Sequence, residues 1–159
     1  ARFCTGTKPP TGSTGTRETG IVPTASVPAC AVLQVSDSER FARRRDISGV
    51  ISDRLVEVEE AYLEGADPTG NPHHLADPLL ILESEQPDRP LPPFYTFAGT
   101  ADPLLDDARR LDAALAEHGV PCETSYIDGQ PHAFHCLLYT PDARRVWREK
   151  LAFLDRHVG

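Results

Sequence analysis

The sequence predicts an α/β fold, because its second half holds two strand-like segments around one helix-like segment. The largely apolar run 94–98 suits a parallel strand that is covered on both faces. Residues 122–127 are typical of a second short strand. Between them, apolar residues recur at spacings of 4, 3 and 4, as on one face of a helix: Leu104, Ala108, Leu111 and Leu115. A right-handed crossover in such a βαβ unit makes the two strands parallel.

The ends of this helix and the last helix of the chain follow from proline and glycine. Asp102 and Pro103 open the middle helix, and Gly119 ends it. Pro141 opens the last helix, whose expected apolar face comprises four residues: Val146, Trp147, Leu151 and Leu154.

Upstream of the βαβ unit, the pattern predicts one more strand and one more helix. The apolar run 27–35 is short enough for a buried strand. A helical stripe that Gly65 can end is formed by Ile51, Leu55, Val58 and Tyr62. Residues 66–92, rich in Pro, Asp and Gly, predict a long connection in which 79–82 turn inward. With the basic run 41–46 interpreted as the face of a further helix, we expect three strands and four helices in the ordered part.

Length and composition indicate one soluble globular domain. The chain has 159 residues, of which 40% are hydrophobic and 25% charged. Residues 1–20 are dominated by Thr, Gly and Pro, and we expect a disordered tail there. The domain is expected to occupy residues 27–159. Because the first residue is Ala1 rather than Met and no signal peptide is visible, we expect the chain to be trimmed or to be a piece of a longer protein.

Charge and cysteine usage exclude several classes of function. A net charge of −8 disfavours nucleic acid as a partner, because phosphate binding needs a basic face. No apolar run is long enough to predict a membrane span. Cys4, Cys30, Cys122 and Cys136 are too scattered for a disulfide framework or a paired zinc motif. We expect reduced thiols and a cytoplasmic location.

Two side chains follow the ends of the two strands in the βαβ unit. Ligands of open α/β sheets collect beyond the carboxyl ends of the strands, where Asp102 and His132 are expected to meet. A carboxylate there can fix the tautomer of an imidazole while its other ring nitrogen moves a proton. Alternatively, Asp102 merely caps a helix and His132 is an ordinary loop residue. Their joint placement favours the catalytic interpretation.

The other histidines raise the question of a metal site. His132 and His135 are three residues apart, and His73 and His74 are adjacent. No HExxH helix accompanies them, and zinc needs three or four convergent ligands. We expect no metal and no cofactor. His135 is expected to line the rim of a pocket or to pack beneath the loop.

Two charged groups have structural interpretations. Asp106 and Asp107 fall in the first turn of the middle helix, where carboxylates interact favourably with the helix dipole. The triplet Arg43–Arg45 is typical of a solvated helix face, with a phosphate or carboxylate site as the alternative.

Two longer segments resemble the closing catalytic segments of α/β-hydrolases, in the branch of hormone-sensitive lipase and its bacterial esterase relatives. They are PPFYTFAGTADPLLDDARRL and YIDGQPHAFH. In that family the acid lies in a G-x-x-D-x-L context and the histidine in a G-x-x-H-x-F turn. The matching positions are Gly99, Asp102, Leu104, Gly129, His132 and Phe134.

The resemblance covers roughly residues 27–156 and implies a partial doubly wound parallel sheet, the carboxyl-terminal part of the hydrolase fold. It also implies that Asp102 is the acid of a catalytic triad and His132 its general base. The implied function is that of a serine hydrolase of the carboxylesterase or lipase type, acting on a small-molecule ester.

The nucleophile of such a triad is missing from the sequence. The family carries its serine on a G-x-S-x-G turn, before the acid and the histidine. The nearest string here is TGSTG around Ser13, and no apolar strand precedes it. The oxyanion-hole loop is also absent. We expect a carboxyl-terminal half that is inactive alone and needs a missing amino-terminal half or self-association through its open sheet edge. The alternative is a non-catalytic α/β module that binds a partner through that edge.

Overall fold

The computed structural model describes residues 22–44, 47, 49–64 and 76–159. The tail expected at 1–20 lies outside these ranges, as do several residues considered above: Cys4, Ser13, Arg45, Gly65, His73 and His74. The strands are β1 (Phe94–Gly99) and β2 (Cys122–Ile127). The α-helices are α1 (Glu39–Ala42), α2 (Gly49–Leu63), α3 (Pro78–Ser84), α4 (Leu105–Glu117) and α5 (Pro141–Val158). A 3₁₀ turn covers Phe134–Cys136.

β1 and β2 form a parallel pair joined by α4, which confirms the predicted βαβ unit. The register runs from Phe94 opposite Cys122 to Gly99 opposite Ile127. Because the two strands end at paired residues, the loops that follow them leave the sheet at the same edge.

The prediction of a strand over residues 27–35 is wrong in its length. Only Ser26 and Ala29 form parallel bridges, with Phe94 and Phe97 of β1. Cys30 then adopts a φ of 45°, which ends the extended conformation. The described residues therefore hold two strands and five α-helices, against the three strands and four helices that we expect from the sequence.

α4 buries the stripe that its periodicity predicts. Leu104, Ala108, Leu111 and Leu115 are all buried, although the helix begins at Leu105 rather than at Pro103. Gly119, with a φ of +68°, ends it as expected.

α5 begins at Pro141 as predicted, and the Thr140 hydroxyl accepts a hydrogen bond from the amide of Ala143 at 3.2 Å. Its buried residues are Ala143, Val146 and Phe153. Trp147 and Leu154 are half-buried, but Leu151 is exposed, so its assignment to the apolar face is wrong. Residues 146 and 153 are seven apart and share one face, whereas residue 151 turns away from it.

The upstream helices differ from the expectation in burial. α2 forms, but Ile51, Val58 and Tyr62 of its apolar stripe are exposed, and only Ser52 is buried. α3 occupies part of the segment expected to be a connection, and its Leu79 is fully buried. Across the described ranges, every helix is too short or too polar to span a lipid bilayer.

Both faces of the sheet are covered, as the apolar character of β1 requires. On one face, Tyr95 and Phe97 pack with Ile127, Val146 and Phe153. On the other face, Phe94 packs with the buried leucines of α3 and α4: Leu79, Leu111 and Leu115. The result is a fragment of a layered α/β fold whose carboxyl edge carries the candidate site.

Candidate functional site

The loops after β1 and β2 are tied to each other by backbone hydrogen bonds. The amide of Thr100 donates to the carbonyl of Ile127 at 2.9 Å, and that of Ala101 donates to the carbonyl of Gln130 at 3.1 Å. The Thr100 hydroxyl accepts from the amide of Gly129 at 2.7 Å. These contacts fix the position of the two loops relative to each other without any contribution from the side chains of Asp102 and His132.

The two motif glycines are required by this geometry. A Cβ atom on Gly99 would lie 1.8 Å from the carbonyl oxygen of Gln130, so only glycine permits the loops to approach this closely. Gly129 has a φ of +68°, a conformation that residues with a side chain rarely adopt. Each glycine lies three residues before a candidate catalytic residue.

Asp102 and His132 are brought together at this edge. The Nδ1 atom of His132 lies 3.2 Å and 3.1 Å from the two carboxylate oxygens of Asp102. The Asp102 side chain is fully buried, whereas that of His132 is 49% exposed. Asp102 also accepts a hydrogen bond from the amide of Leu104 at 2.8 Å, so it supports the turn before α4 as well. The capping interpretation and the pairing with His132 are therefore both true of this carboxylate.

The carboxylate changes the acid–base behaviour of the imidazole. Its hydrogen bond with Asp102 raises the pKa of His132 above the ordinary value, and partial burial opposes this rise. Since Nδ1 is directed at Asp102, Nε2 is the nitrogen that can exchange a proton with a ligand. The arrangement can therefore carry out general acid–base chemistry.

Cys30 and His135 lie next to this pair. The Sγ atom of Cys30 is 3.7 Å from Nδ1 of His135, and the His135 ring packs edge-on against Phe97. Burial raises the pKa of the Cys30 thiol to about 12 and lowers that of His135 below its usual value. A thiol protonated at neutral pH is a poor nucleophile. His135 thus packs beneath the loop, which is one of the two positions that the sequence predicts for it.

A sequence profile described as the alpha/beta hydrolase fold matches residues 14–136, which is more than half of the chain. The chain belongs to the α/β-hydrolase fold family. Its similarity to solved structures extends further along the sequence and agrees with this membership.

Three solved esterases illustrate the similarity of this chain to known structures. An esterase from the bacterial hormone-sensitive lipase family is 24% identical, with a TM-score of 0.69 over 91% of this chain and 47% of that one. A mutant of the esterase E40 is 24% identical, with a TM-score of 0.72 over the same shares. EstE5 is 22% identical, with a TM-score of 0.67 over 89% of this chain and 47% of that one. The chain spans about half the length of these esterases.

The other acidic residues near the start of α4 have different surroundings. Asp107 is buried and accepts hydrogen bonds from the amides of Leu33 and Gln34 at 3.0 Å and 3.3 Å. The guanidinium group of Arg40 pairs with it at 3.1 Å. Asp106 is exposed and pairs with Arg44 at 2.9 Å. Sequence reasoning missed the role of Asp107 in holding residues 33–34, because its partners are distant in sequence.

The arginine cluster is committed to ion pairs within the described residues. Arg43 pairs with Asp37 at 2.9 Å, and Arg44 also donates to the carbonyl of Pro103 at 3.1 Å. Arg43 is mostly exposed, as expected for a solvated face, whereas Arg44 is partly buried where it contacts Pro103 and Asp106.

The described part of the chain offers His132 no serine partner. Its hydrogen bonds there go to Asp102 alone, and the whole sequence lacks a G-x-S-x-G string. A groove of about 380 Å³ lies at the opposite end of the sheet, around residues 86–91 and 118–121. It contains neither Asp102 nor His132, and we assign it no part in the chemistry.

Proposed function

We propose that the protein is a serine hydrolase of the carboxylesterase or lipase type, and that Asp102 and His132 are two members of its catalytic triad. The observation that supports this most strongly is the pairing of a fully buried carboxylate with a half-exposed imidazole at 3.1 Å. The pair lies at the carboxyl edge of the sheet, where ligands of α/β proteins bind.

In the proposed mechanism, the half-exposed His132 transfers a proton and the buried Asp102 orients the His132 ring. Nε2 of His132 takes the proton of a serine hydroxyl as that oxygen attacks an ester carbonyl, and later returns it to the leaving alcohol. Asp102 holds the ring in the required tautomer and stabilises the imidazolium that forms. The serine and the oxyanion donors must come from polypeptide other than this sequence, such as an amino-terminal portion of the same protein.

The proposed substrate is a small-molecule ester. EstE5 was soaked by p-nitrophenyl butyrate, and that compound is a reasonable first assay substrate here. The free cysteines Cys30, Cys122 and Cys136 support the proposal of a cytoplasmic location, because reduced thiols are usual there.

The test compares histidine variants in a protein that joins this chain to a segment with a G-x-S-x-G turn. We expect His132→Ala to lower kcat for p-nitrophenyl butyrate by about 10³-fold or more, as the loss of a triad member does. The matched control is His157→Ala on α5, which should stay within about twofold of the parent because surface changes rarely matter. Full activity of the His132 variant would contradict the proposal.

A second candidate is a non-catalytic module that binds a partner through the sheet edge. The absence of a serine partner for His132 among the described residues favours it. A serine-directed fluorophosphonate distinguishes the two candidates. Labelling of the joined protein supports the hydrolase, whereas a well-folded protein that resists labelling supports the binding module.

A further inference from the structure

Three potential metal ligands lie together at the Asp102–His132 pair, and a fourth lies next to one of them. One ligand atom each from Cys30, Asp102 and His132 lies within 4.8 Å of the other two. The fourth group is His135, whose Nδ1 atom is 3.7 Å from the sulfur of Cys30. The four residues come from three separate parts of the chain, so the fold rather than local sequence assembles them.

The spacing is close to that of a tetrahedral zinc site. Zinc binds sulfur at about 2.3 Å and nitrogen or oxygen at about 2.0–2.2 Å, so its ligands are about 3.3–3.8 Å apart. The distance between Cys30 Sγ and His135 Nδ1 already falls in that range. Cys30, Asp102 and His132 offer ligand atoms that lie at most 4.8 Å from one another, so these three need a contraction of about 1 Å, to which side-chain rotation of the half-exposed His132 can contribute.

We infer that Cys30, His135, Asp102 and His132 form a binding site for a divalent metal ion of the zinc type. A thiolate with two imidazoles and one carboxylate suits Zn²⁺, whereas the harder ions Mg²⁺ and Ca²⁺ prefer sites made of oxygen atoms alone. The site uses both residues of the proposed catalytic pair but needs no serine nucleophile, so metal binding can be tested in a chain that has no hydrolase activity.

Binding has a defined proton balance. The sulfur–metal bond replaces the S–H bond of the Cys30 thiol, so one proton passes to solvent for each ion bound. The metal would also draw the Asp102 carboxylate away from His132, so metal binding and the Asp102–His132 hydrogen bond compete.

The test titrates the reduced 159-residue chain with Co²⁺ and then displaces it with Zn²⁺. We expect one equivalent of Co²⁺ to produce a near-ultraviolet thiolate-to-cobalt charge-transfer band, which Zn²⁺ abolishes. Cys30→Ser should remove the band and weaken Zn²⁺ binding by at least about tenfold. The matched control is Cys136→Ser, which changes an exposed thiol close to the site in sequence and should leave both properties unchanged.

A second variant guards against loss of folding. His135→Gln should keep the band but weaken Zn²⁺ binding by at least about tenfold, with an unchanged circular dichroism spectrum. A wild-type chain without a thiolate band at saturating Co²⁺ would overturn the inference. A band that survives Cys30→Ser, or that Cys136→Ser removes equally, would overturn it as well.

Discussion

At the scale of single residues, the site depends on the absence of a Cβ atom at Gly99. The backbone of Gly99 passes so close to Gln130 that a Cβ atom would meet the carbonyl oxygen of that residue at 1.8 Å. The hydrogen bonds from the amide of Ala101 to this carbonyl, and from the amide of Thr100 to the carbonyl of Ile127, hold the two loops at their observed distance. Asp102 and His132 reach each other because the loops are this close.

Gly99→Ala should therefore damage both stability and the site. Relief of the overlap requires a shift of the 128–130 turn, and we expect a loss of about 1–3 kcal/mol in the free energy of unfolding, as for other overpacked positions. We also expect the Asp102–His132 hydrogen bond to weaken. Urea denaturation measures the first effect, and the pKa of His132 measures the second.

Gly49→Ala is the control for this substitution. A Cβ atom on Gly49 has no neighbour within 4 Å, and alanine favours helix over glycine. This variant should be as stable as the parent or slightly more stable. If the two glycine variants behaved alike, close packing at Gly99 would not explain the motif.

The raised pKa of His132 also predicts how its contribution to stability depends on pH. A group with a pKa higher in the folded than in the unfolded state stabilises the fold fully below its ordinary value near 6.5, and loses that contribution as the pH rises through the folded pKa. His132→Gln should thus be less stable than the parent at pH 5 by more than it is at pH 9. Denaturant midpoints at the two pH values measure this difference, and an equal gap at both would contradict the prediction.

The sequence was sufficient to predict the positions of some residues at the candidate site but not of others. Asp102 and His132 could be predicted because each follows a recognisable strand at a short distance. Cys30 could not, because its position depends on a positive φ within an apolar run and on a contact with His135 across 105 residues. Only the folded chain contains that information.

At the scale of elements, a buried ion pair connects the segment after Cys30 to α4. The Asp107 carboxylate accepts hydrogen bonds from the amides of Leu33 and Gln34. It also pairs with Arg40, whose side chain is 16% exposed. The carboxylate thereby satisfies backbone donors that have no strand partner. This connection positions the segment that leads away from Cys30.

Arg40→Ala should leave the Asp107 carboxylate buried without its cation. Removal of one partner from a buried pair costs about 3–5 kcal/mol, and we expect an effect near the lower end because two amides remain. The control is Arg43→Ala, whose partner Asp37 is exposed and whose loss should cost at most about 1 kcal/mol. Urea denaturation of both variants tests the difference, and equal losses would show that burial of Asp107 is unimportant.

Helices were easier to predict than strands for a physical reason. The spacing of the apolar residues in α4 marks the face that the helix buries, so this buried stripe could be assigned from sequence alone. A strand forms only where a neighbour supplies hydrogen bonds. The run 27–35 has the composition of a strand, but among the described residues only its Ala29 forms a bridge with β1, and the second bridge, at Ser26, lies just before the run. The error at Leu151 is smaller, since a residue at the border of a helix face is ambiguous by periodicity.

At the scale of the whole molecule, the chain corresponds to about half of the esterases that it resembles. It spans 47% of the hormone-sensitive-lipase-family esterase and 47% of EstE5. The exposed apolar stripe of α2 and the sparsely paired segment beside β1 are consistent with surfaces that further polypeptide covers.

The 159 residues alone should show no esterase turnover. An acid–base pair without a nucleophile has no attacking atom to activate, and without oxyanion donors it cannot stabilise the charge that develops. The rate of p-nitrophenyl butyrate hydrolysis should equal that of the His132→Ala chain. Rapid hydrolysis that this substitution abolishes would show that the sequence contains its own nucleophile.

The account depends most on the interaction between Asp102 and His132, and NMR titration of the His132 ring in the chain and in its Asp102→Asn variant tests it most directly. In the parent, the pKa of His132 should lie above 6.5, because the carboxylate stabilises the imidazolium. The Asn variant should titrate at lower pH, with the His157 resonance as an internal reference. An identical His132 pKa in both proteins would show that the two side chains do not interact, and would contradict the account.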